Sequence, residues 1–488
     1  MGATEKNGAC GATVKMERIA FHSWLRAAVA LGILLVAGCA VGPDYKRPPV
    51  PSPGSYRGEE SATTNSLGEL PWWEVFHDEK LQALVRTALT NNFDVRIAAT
   101  RVEQARAMVA QARSQLFPQL NYFAGAGKGR NVGAGNTLSP NGGATVGAMQ
   151  FGGDVSWEID IWGQVRRMTE AAKAQYFASQ EAQRDVRISL IAQVAQNYFQ
   201  LLTLDRELAI AQEATNSYGE SLRIFNERLH GGVASKLESS TAEALLASSA
   251  AMIPDLERQI VQTEDQLGVL LGQNPGPIMR EGSALEQQMA PEVPAGLPSS
   301  LLERRPDIRQ AEQSLRAANA QLGVAKSDFF PQLNLTGIIG QVSPELATLT
   351  AGSAFAWGVA ASLTGPLFHG GQLRAQYRQA AAVRDQYVLQ YQSTVLNALQ
   401  EVADALVART KLAQTRTEQA HAVAAYQEAL KISMERYRLG QSSYYEVLQE
   451  QQLLFPAEDT LAQTQLNQLN SMVQLYRSLG GGWEEKGK

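Results

Sequence analysis

Two long stretches of the chain contain neither glycine nor proline and remain polar along most of their length. They cover residues 164–218 and 372–439, which is 55 and 68 residues. Charged and amide side chains recur throughout, so each stretch predicts a helix that is too polar for lipid. Such a helix must bury one narrow apolar stripe against neighbouring helices, as coiled coils do. At 1.5 Å per residue the second helix would be about 100 Å long, which no single compact domain accommodates.

A different pattern precedes each long helix. Residues 118–162 and 331–368 have glycine-rich, weakly polar middles, and their flanks contain residues that favour strands. Each segment therefore predicts a β-hairpin. Strands of about ten residues have the length needed to cross a membrane in a barrel.

A returning helix is predicted after each long helix, over about 239–272 and 443–478. Pro254 and Pro456 lie inside these helices. Because proline lacks the amide hydrogen that a helix interior needs, each returning helix should kink there, or end and restart.

The chain is an internal duplication. Residues 94–121 align without a gap with residues 307–334, and 12 of these 28 positions are identical. Residues 222–238 align with residues 430–446 at seven of 17 positions. The offset between the copies falls from 213 in the first alignment to 208 in the second. The first hairpin therefore contains five additional residues, which we assign to a surface loop.

Two hairpins supply four strands, and four strands cannot close a barrel around a water-filled lumen. An open strand edge exposes unpaired amide and carbonyl groups, which lipid cannot satisfy. Several copies of the chain must therefore share one barrel. This argument requires an oligomer but does not fix the number of copies.

The N-terminal region has the pattern of a bacterial lipoprotein signal. The apolar run 27–37 is too short to cross a bilayer and is typical of a signal peptide. It leads into Val36-Ala37-Gly38-Cys39, a lipobox, which predicts cleavage before Cys39 and acylation of that residue. Ala40, where inner-membrane lipoproteins carry aspartate, favours the outer membrane. The alternative is an ordinary signal peptide in which Cys39 is incidental.

Composition and charge exclude several classes of function. The net charge of −5 and the pI of about 5.7 argue against nucleic-acid binding through a broad basic face. No apolar run long enough for a transmembrane helix follows the signal. The five histidines are scattered, and no metal, nucleotide or catalytic motif is present. We therefore expect no enzyme activity, no cofactor and no metal site. The pair Arg304-Arg305 is expected to fix helix ends and neighbouring carboxylates.

Five segments together resemble the TolC-like outer-membrane efflux ducts, in the lipoprotein branch called OprM/NodT-like. These segments are residues 71–78, 81–92, 157–163, 302–308 and 317–323. The likeness covers nearly all of residues 39–488. Residues 303–307, Glu-Arg-Arg-Pro-Asp, and the duplicated Phe-Pro entry into each hairpin are specific in combination.

The resemblance implies a mainly α fold with membrane β structure. Three chains would form a long-helix α-barrel in the periplasm and share a twelve-stranded β-barrel in the outer membrane, with four strands from each chain. The partners would be a periplasmic adaptor (membrane fusion) protein and an inner-membrane RND-type pump. The duct would passively conduct drugs or other toxic small molecules from the periplasm to the exterior.

In this family the periplasmic aperture lies at the turns between long and returning helices. These turns correspond here to residues 228–238 and 436–449. A tight turn between helices needs a residue that tolerates a positive φ, and Gly232 and Gly440 supply it.

The resemblance also assigns side chains to the aperture or gate. These are Glu238, Tyr437, Tyr445, Glu446 and Gln449. Both glutamates stand at acidic positions of the family, Tyr437 at a position that latches neighbouring helices, and Tyr445 at an apolar gate. Gln449 replaces a common aspartate and Ser442 a possible latching arginine, which argues against a strong acidic ring and a salt-bridged latch. Alternatively, the two glutamates belong to a solvated helix face.

The predicted domain organisation follows the duplication. A signal peptide (1–38) and a lipid-anchored tether (39–70) precede the first repeat (71–300). Within this repeat we predict a hairpin at about 118–162 and a long helix at about 163–230. A returning helix at about 239–272 and an equatorial linker at 273–300 complete it. The second repeat (301–488) has its hairpin at about 331–368, long helix at about 372–439, returning helix at about 443–478 and a C-terminal tail. Two other functions stay open at this point: a duct for protein or peptide secretion, and a non-conducting structural coiled-coil lipoprotein.

Overall fold

The computed structural model describes residues 40–50, 53–57, 73, 77–130, 145–280, 285, 288 and 301–481. Cys39, the predicted signal peptide and most of the predicted equatorial linker lie outside these residues. The described chain divides into two compact units. Unit one contains residues 40–47, Gln104–Phe177 and Gln313–Leu389, and unit two contains the described residues of Pro48–Glu103, Ala178–Glu312 and Gln390–Lys488.

Helices dominate the described residues. Seven of them are longer than ten residues: α1 (Glu79–Asn91), α2 (Phe93–Ser114), α3 (Gln164–His230), α4 (Lys236–Leu270), α5 (Pro306–Ser327), α6 (Gln372–Arg438) and α7 (Tyr444–Ser478). A single helical turn, Leu301–Arg304, precedes α5. Among these helices, none carries the apolar stretch that a bilayer crossing requires.

Four strands of unit one form one antiparallel sheet in chain order. They are β1 (Gln119–Arg130), β2 (Thr145–Ile159), β3 (Gln332–Ser343) and β4 (Phe355–Thr364). The central pairing of β2 with β3, which places Gly152 opposite Gly340, joins the two hairpins. Within the part of the chain that is described, β1 and β4 each pair along one edge only. The prediction of four strands from each chain is confirmed.

Corresponding helices of the two repeats have equal lengths. α2 and α5 each contain 22 residues, α3 and α6 each contain 67, and α4 and α7 each contain 35. The predicted duplication is therefore confirmed in the secondary structure. The glycine-rich middle of the first hairpin, residues 131–144, lies outside the described residues, and with it lies the predicted surface loop.

The two returning helices run through their prolines without interruption. Pro254 lies inside α4 and Pro456 inside α7, so neither helix ends and restarts there. One missing amide costs about 3 kcal/mol. Neighbouring side chains that are buried, such as Leu256 in α4 and Phe455 in α7, offset this cost by packing.

The segment that follows Cys39 is docked in unit one. Val41 N donates to Trp162 O at 2.9 Å, and Asn319 Nδ2 donates to Pro43 O at 2.9 Å. Asp44 accepts a hydrogen bond from the buried Arg167 at 2.9 Å. Residues 40–47 are therefore held against the first turns of α3 and the middle of α5.

Arg305 ties together helix ends in unit two. Its side chain is buried, and its Nη1 donates to Ser478 O, in the last turn of α7, at 2.9 Å. It forms ion pairs with Asp307 at 2.6 Å and with Glu401 at 2.8 Å. The role predicted for this arginine, at helix ends and beside carboxylates, is confirmed.

Candidate aperture at the helix–helix turns

The turn after α3 has the hydrogen-bond pattern of a Schellman motif. Val233 N donates to Arg228 O at 2.9 Å, and Gly232 N donates to Leu229 O at 3.0 Å. Gly232 itself has φ of +73°. These bonds satisfy carbonyl groups that the end of a helix otherwise leaves unpaired. The chain is therefore reversed by a defined backbone motif.

α4 begins with a capping box. Ser235 N donates to Glu238 Oε2 at 2.7 Å, and Glu238 N donates to Ser235 Oγ at 3.4 Å. This reciprocal pair satisfies amide groups at the start of the helix. The carboxylate of Glu238 is thus used in the cap of its own helix.

The turn after α6 repeats the motif with different side chains. Gln441 N donates to Arg436 O at 2.8 Å, and Gly440, with φ of +72°, donates to Tyr437 O at 2.9 Å. The N-cap residue of α7, Ser443, forms no side-chain capping bond. The two turns therefore share a backbone geometry but begin their returning helices differently.

An ion pair closes the second turn. Arg436 Nη1 lies 3.2 Å from Glu446 Oε2, and both side chains are about half exposed (49% and 43%). Exposed pairs of this kind contribute about 0.2–1 kcal/mol. Thermal motion or a competing partner can therefore open this bond easily.

The tyrosines at this turn have contrasting environments. Tyr437 packs edge-on against the buried Tyr444, with ring centroids 4.9 Å apart. Tyr445 is 52% exposed, and Gln449 is exposed on the same helix. The hydroxyl of Ser442 is buried and has no hydrogen-bond partner among the described residues. The exposed side chains of Tyr445 and Gln449 are therefore available to groups outside the described chain, whereas the hydroxyl of Ser442 is enclosed.

A buried polar network above the turns was not singled out from the sequence. Ser221 Oγ lies 3.0 Å from Gln451 Oε1 and 3.1 Å from the hydroxyl oxygen of Tyr444, and Gln451 Nε2 donates to Ser217 Oγ at 2.7 Å. Ser221 and Gln451 are both almost fully buried. The network links α3 to α7. Its signal in the sequence is a polar residue at an apolar stripe position, since Ser221 continues the spacing of Tyr218 and Phe225.

An apolar cluster surrounds this network. Its buried members are Ile210, Ala214, Tyr218, Phe225, Ala242, Tyr444, Val447, Leu448 and Phe455. Burial raises the pKa of Tyr444, which a hydrogen bond with Ser221 partly opposes, and burial also raises the pKa of Tyr218. Both phenols are therefore neutral at physiological pH and act as hydrogen-bonding and packing groups.

The described residues at these turns do not form a metal site. No group of three His, Cys, Asp or Glu side chains in the described part of the chain is placed to hold a metal ion. The arrangement is a pair of helix reversals with a weak ion pair, two tyrosine rings packed edge to face and a buried polar network. Among the described residues at these turns, none form a nucleophile–base pair of the kind that catalysis requires.

Comparison with known proteins decides what these long helices and four strands form. The family model of the outer membrane efflux protein matches residues 84–273 and 297–481, one stretch in each repeat. The chain belongs to the outer membrane efflux protein family. Its function as an efflux channel of the outer membrane, predicted from the sequence, is confirmed by this membership.

Individual relatives are similar along nearly their whole length. The toluene efflux pump outer membrane protein TtgC of Pseudomonas putida is 34% identical over 463 residues, which is 94% of this chain and 96% of that protein. The cation efflux system protein CusC of Escherichia coli is 32% identical over 455 residues, which is 93% of this chain and 97% of that one. The sequence of this efflux protein therefore aligns with these relatives over nearly their whole length.

Solved structures agree with the fold. The open state of the Neisseria gonorrhoeae MtrE outer membrane channel has a TM-score of 0.83 and 30% identity, and the match covers 91% of this chain and 99% of that one. The predicted fold class, a long-helix α-barrel with a membrane β-barrel, is confirmed by this likeness. The β1–β4 sheet of this efflux protein is therefore its outer-membrane part.

Proposed function

We propose that three copies of this efflux protein form a passive duct. The duct passes drugs or other toxic small molecules from the periplasm to the exterior. It receives them from an inner-membrane RND-type pump through a periplasmic adaptor protein. Proteins that are similar over their whole length are named for the efflux of toluene and of cations, which favours small molecules over proteins or peptides as cargo.

The open sheet is the observation that carries the proposal. Among the described strands, β1 and β4 each leave one edge without a strand partner. In an outer membrane those edges would lose their hydrogen bonds to water, at several kcal/mol for each unsatisfied group. Neighbouring copies of the chain can pair β4 of one with β1 of the next. Three copies would then close a barrel of twelve strands.

A lipid anchor at Cys39 completes the membrane attachment in this proposal. Cys39 lies outside the described residues, but the segment from residue 40 onward is held in unit one near Trp162, three residues beyond β2. Acyl chains on Cys39 would therefore start close to the end of a membrane strand. Cys39→Ser should abolish metabolic labelling with palmitate, and continued labelling would reject the anchor.

The two helix turns are proposed as the aperture. Glu446 and Tyr437 would hold α6 and α7 together at the closed tip, while Gly232 and Gly440 fix the reversals. Tyr445 and Gln449, which are exposed, would face the lumen or a neighbouring chain. Glu238, which caps its own helix, would contribute its charge from a fixed position. The ion pair is weak, so an adaptor could open the tip at small free-energy cost.

Planar-bilayer recording tests the channel and its aperture together. Glu446→Ala combined with Tyr437→Phe should raise the single-channel conductance or the open probability, because it removes the ion pair and a tyrosine hydroxyl at the turn. Arg436→Gln, which breaks the same ion pair from its other side, should act in the same direction. Arg258→Gln is the matched control, since it breaks an equally exposed pair with Asp255 on α4.

Each outcome of the recording has a distinct meaning. Wild-type currents with unchanged conductance in both aperture variants would remove these residues from the gate but leave the channel intact. A wild-type protein that carries no current would support a structural coiled-coil lipoprotein instead. A deletion strain that secretes proteins poorly but tolerates drugs normally would favour the secretion duct.

A further inference from the structure

A basic cavity lies in unit one, beside the ends of the membrane strands. Its volume is about 660 Å³, and three helices and the docked segment 40–47 line it. Four of the lining side chains are cationic: Arg113 of α2, Arg166 and Lys173 of α3, and Arg316 of α5. We call these four side chains the basic cluster.

The charge of the basic cluster is only partly compensated. Arg166 pairs with Asp160 at 3.2 Å. The single carboxylate of the lining, Glu170, is itself paired with Arg167 at 2.8 Å. Arg113 and Lys173 are exposed, and their side chains form no ion pair with another described residue. The cavity therefore presents at least two cations without a counter-charge.

The position of the cavity relates it to the membrane. Arg113 lies six residues before β1 begins at Gln119, and Arg166 lies seven residues after β2 ends at Ile159. Because the sheet is the outer-membrane part of this protein, the cavity lies at the level where strands leave the bilayer. Lipid headgroups occupy that level.

Apolar side chains accompany the cations. Leu116, Ala174 and Phe177 line the same cavity, and Phe177 is 47% exposed although it is aromatic. A free inorganic anion needs no apolar wall, whereas the glycerol and upper acyl region of a lipid does. Tyr45 adds a second ring, with the Arg316 guanidinium 4.8 Å from its centre.

We propose that the basic cluster binds the phosphate of an anionic lipid headgroup, with Leu116 and Phe177 against the adjoining acyl region. Guanidinium and ammonium groups are the side chains that recognise phosphate, because their hydrogen bonds to it are charge-assisted. The inference requires only that the sheet lies in the outer membrane. It does not require the trimer, the aperture or the acylation of Cys39.

Lipid binding to the full chain, purified in detergent, tests this site. Native mass spectrometry would measure retention of added phosphatidylglycerol, and phosphatidylcholine, whose choline neutralises the phosphate, would serve as the comparison lipid. Equilibrium dialysis with labelled inorganic phosphate is the second arm. Arg113→Gln combined with Lys173→Gln should weaken phosphatidylglycerol binding by about tenfold or more, since it removes two charge-assisted hydrogen bonds to the phosphate.

A charge-matched control separates the site from general electrostatics. Arg101→Gln combined with Lys411→Gln removes two exposed cations outside the cavity, and it should leave phosphatidylglycerol binding unchanged. If wild type binds inorganic phosphate at least as tightly as phosphatidylglycerol, the apolar wall contributes nothing, the ligand is phosphate itself and the lipid assignment is wrong. If neither probe distinguishes this variant from wild type, or if the control weakens binding equally, no phosphate site exists. An unchanged thermal midpoint would show that both variants are folded.

Discussion

At the scale of single residues, two glycines determine how the long helices end. Gly232 and Gly440 have φ of +73° and +72°, and each donates the inner hydrogen bond of its Schellman motif. A side chain with Cβ in this left-handed region approaches the following carbonyl oxygen and costs roughly 1–2 kcal/mol. A hypothetical Cβ at either glycine meets no heavy atom within 4 Å, so any cost of substitution is conformational and not steric.

Gly440→Ala should therefore lower the free energy of unfolding by about 1 kcal/mol through backbone strain alone. Urea titration of the helical circular dichroism signal would measure it. Gly352→Ala is the matched control, because its Cβ also meets nothing within 4 Å while its φ lies outside the strained region. Equal stability of both variants would show that the turn tolerates a side chain.

Sequence reasoning found residues with a local signature and missed those whose role depends on a partner far along the chain. The turn glycines were predicted because a helix reversal requires them locally. Ser221 and Gln451 were missed because serine and glutamine are common on a long polar helix, so the position of Ser221 on the apolar stripe is only a weak signal. Their bond joins positions 230 residues apart, and one sequence does not reveal that distance.

Ser221→Ala should destabilise the protein more than an ordinary surface substitution. It leaves the buried Gln451 Oε1 without the hydroxyl at 3.0 Å, and a buried polar group without a partner costs about 1–3 kcal/mol. Thr460→Ala removes an exposed hydroxyl that bonds only within α7, and it should change stability by less than about 0.5 kcal/mol. Thermal unfolding of both variants would provide the comparison. Equal midpoints would show that water or a neighbouring group replaces Ser221.

At the scale of elements, the duplicated helices show what a pattern can predict. Freedom from glycine and proline predicted the long helix α6 and most of α3. α3 continues through Gly219 to His230, because one glycine costs only about 1 kcal/mol in a helix. α4 and α7 likewise continue through their prolines, because tertiary packing outweighs a local penalty of this size. The sequence does not state how much packing each position receives.

Where α3 meets α7, two carboxylates are partly buried together. Burial and, to a smaller extent, the charge of Asp459 raise the pKa of Glu207, and a hydrogen bond from Gln463 opposes the rise. Together they bring this pKa to about 6 from its ordinary 4.5. A carboxyl whose pKa is raised by folding destabilises the folded state once it ionises. Stability should therefore fall as pH rises from about 4.5 to 6 and stay low above that.

Glu207→Gln should remove this pH dependence. The shift corresponds to about 2 kcal/mol at most, and solvent screening of a partly exposed group reduces it to about 1 kcal/mol. The variant should match wild type near pH 4.5 and be more stable near pH 7.5, as measured by urea unfolding at both values. Glu213→Gln, on an exposed position of α3, should show no such difference. If wild type were more stable than Glu207→Gln at pH 7.5, the expected fall of stability with rising pH would be contradicted.

At the scale of the whole molecule, the class of the protein was predictable because its constraints are geometric. Helices of 67 residues and a four-stranded sheet per chain suit few architectures. The roles of Tyr445, Gln449 and Ser442 were less predictable. The side chains of Tyr445 and Gln449 are exposed, so their partners would come from another copy or from an adaptor. The hydroxyl of Ser442 is buried without a hydrogen-bond partner among the described residues.

The assembly itself can be tested through the free edges of the sheet. If three chains share a barrel, β1 of one copy pairs with β4 of the next, and strands paired in this way are about 5 Å apart, which a disulfide can bridge. Ala126→Cys would be combined in turn with Val359→Cys, Ala360→Cys or Ala361→Cys, so that both faces of β4 are sampled. Cys10→Ser removes one native thiol, and acylation would block the other at Cys39.

Oxidation should produce covalent dimers and trimers for at least one of these pairs, and no larger species, because a closed ring of three has no further edge. Ala126→Cys with Met149→Cys is the positive control, since those residues are opposite each other in β1 and β2 and should form a link within one chain. Products beyond three chains would contradict the trimer. If every edge pair stayed monomeric while the control pair oxidised, β1 and β4 of neighbouring copies would not be paired. The unpaired amide and carbonyl groups at these strand edges, which lipid cannot satisfy, would then need other hydrogen-bond partners.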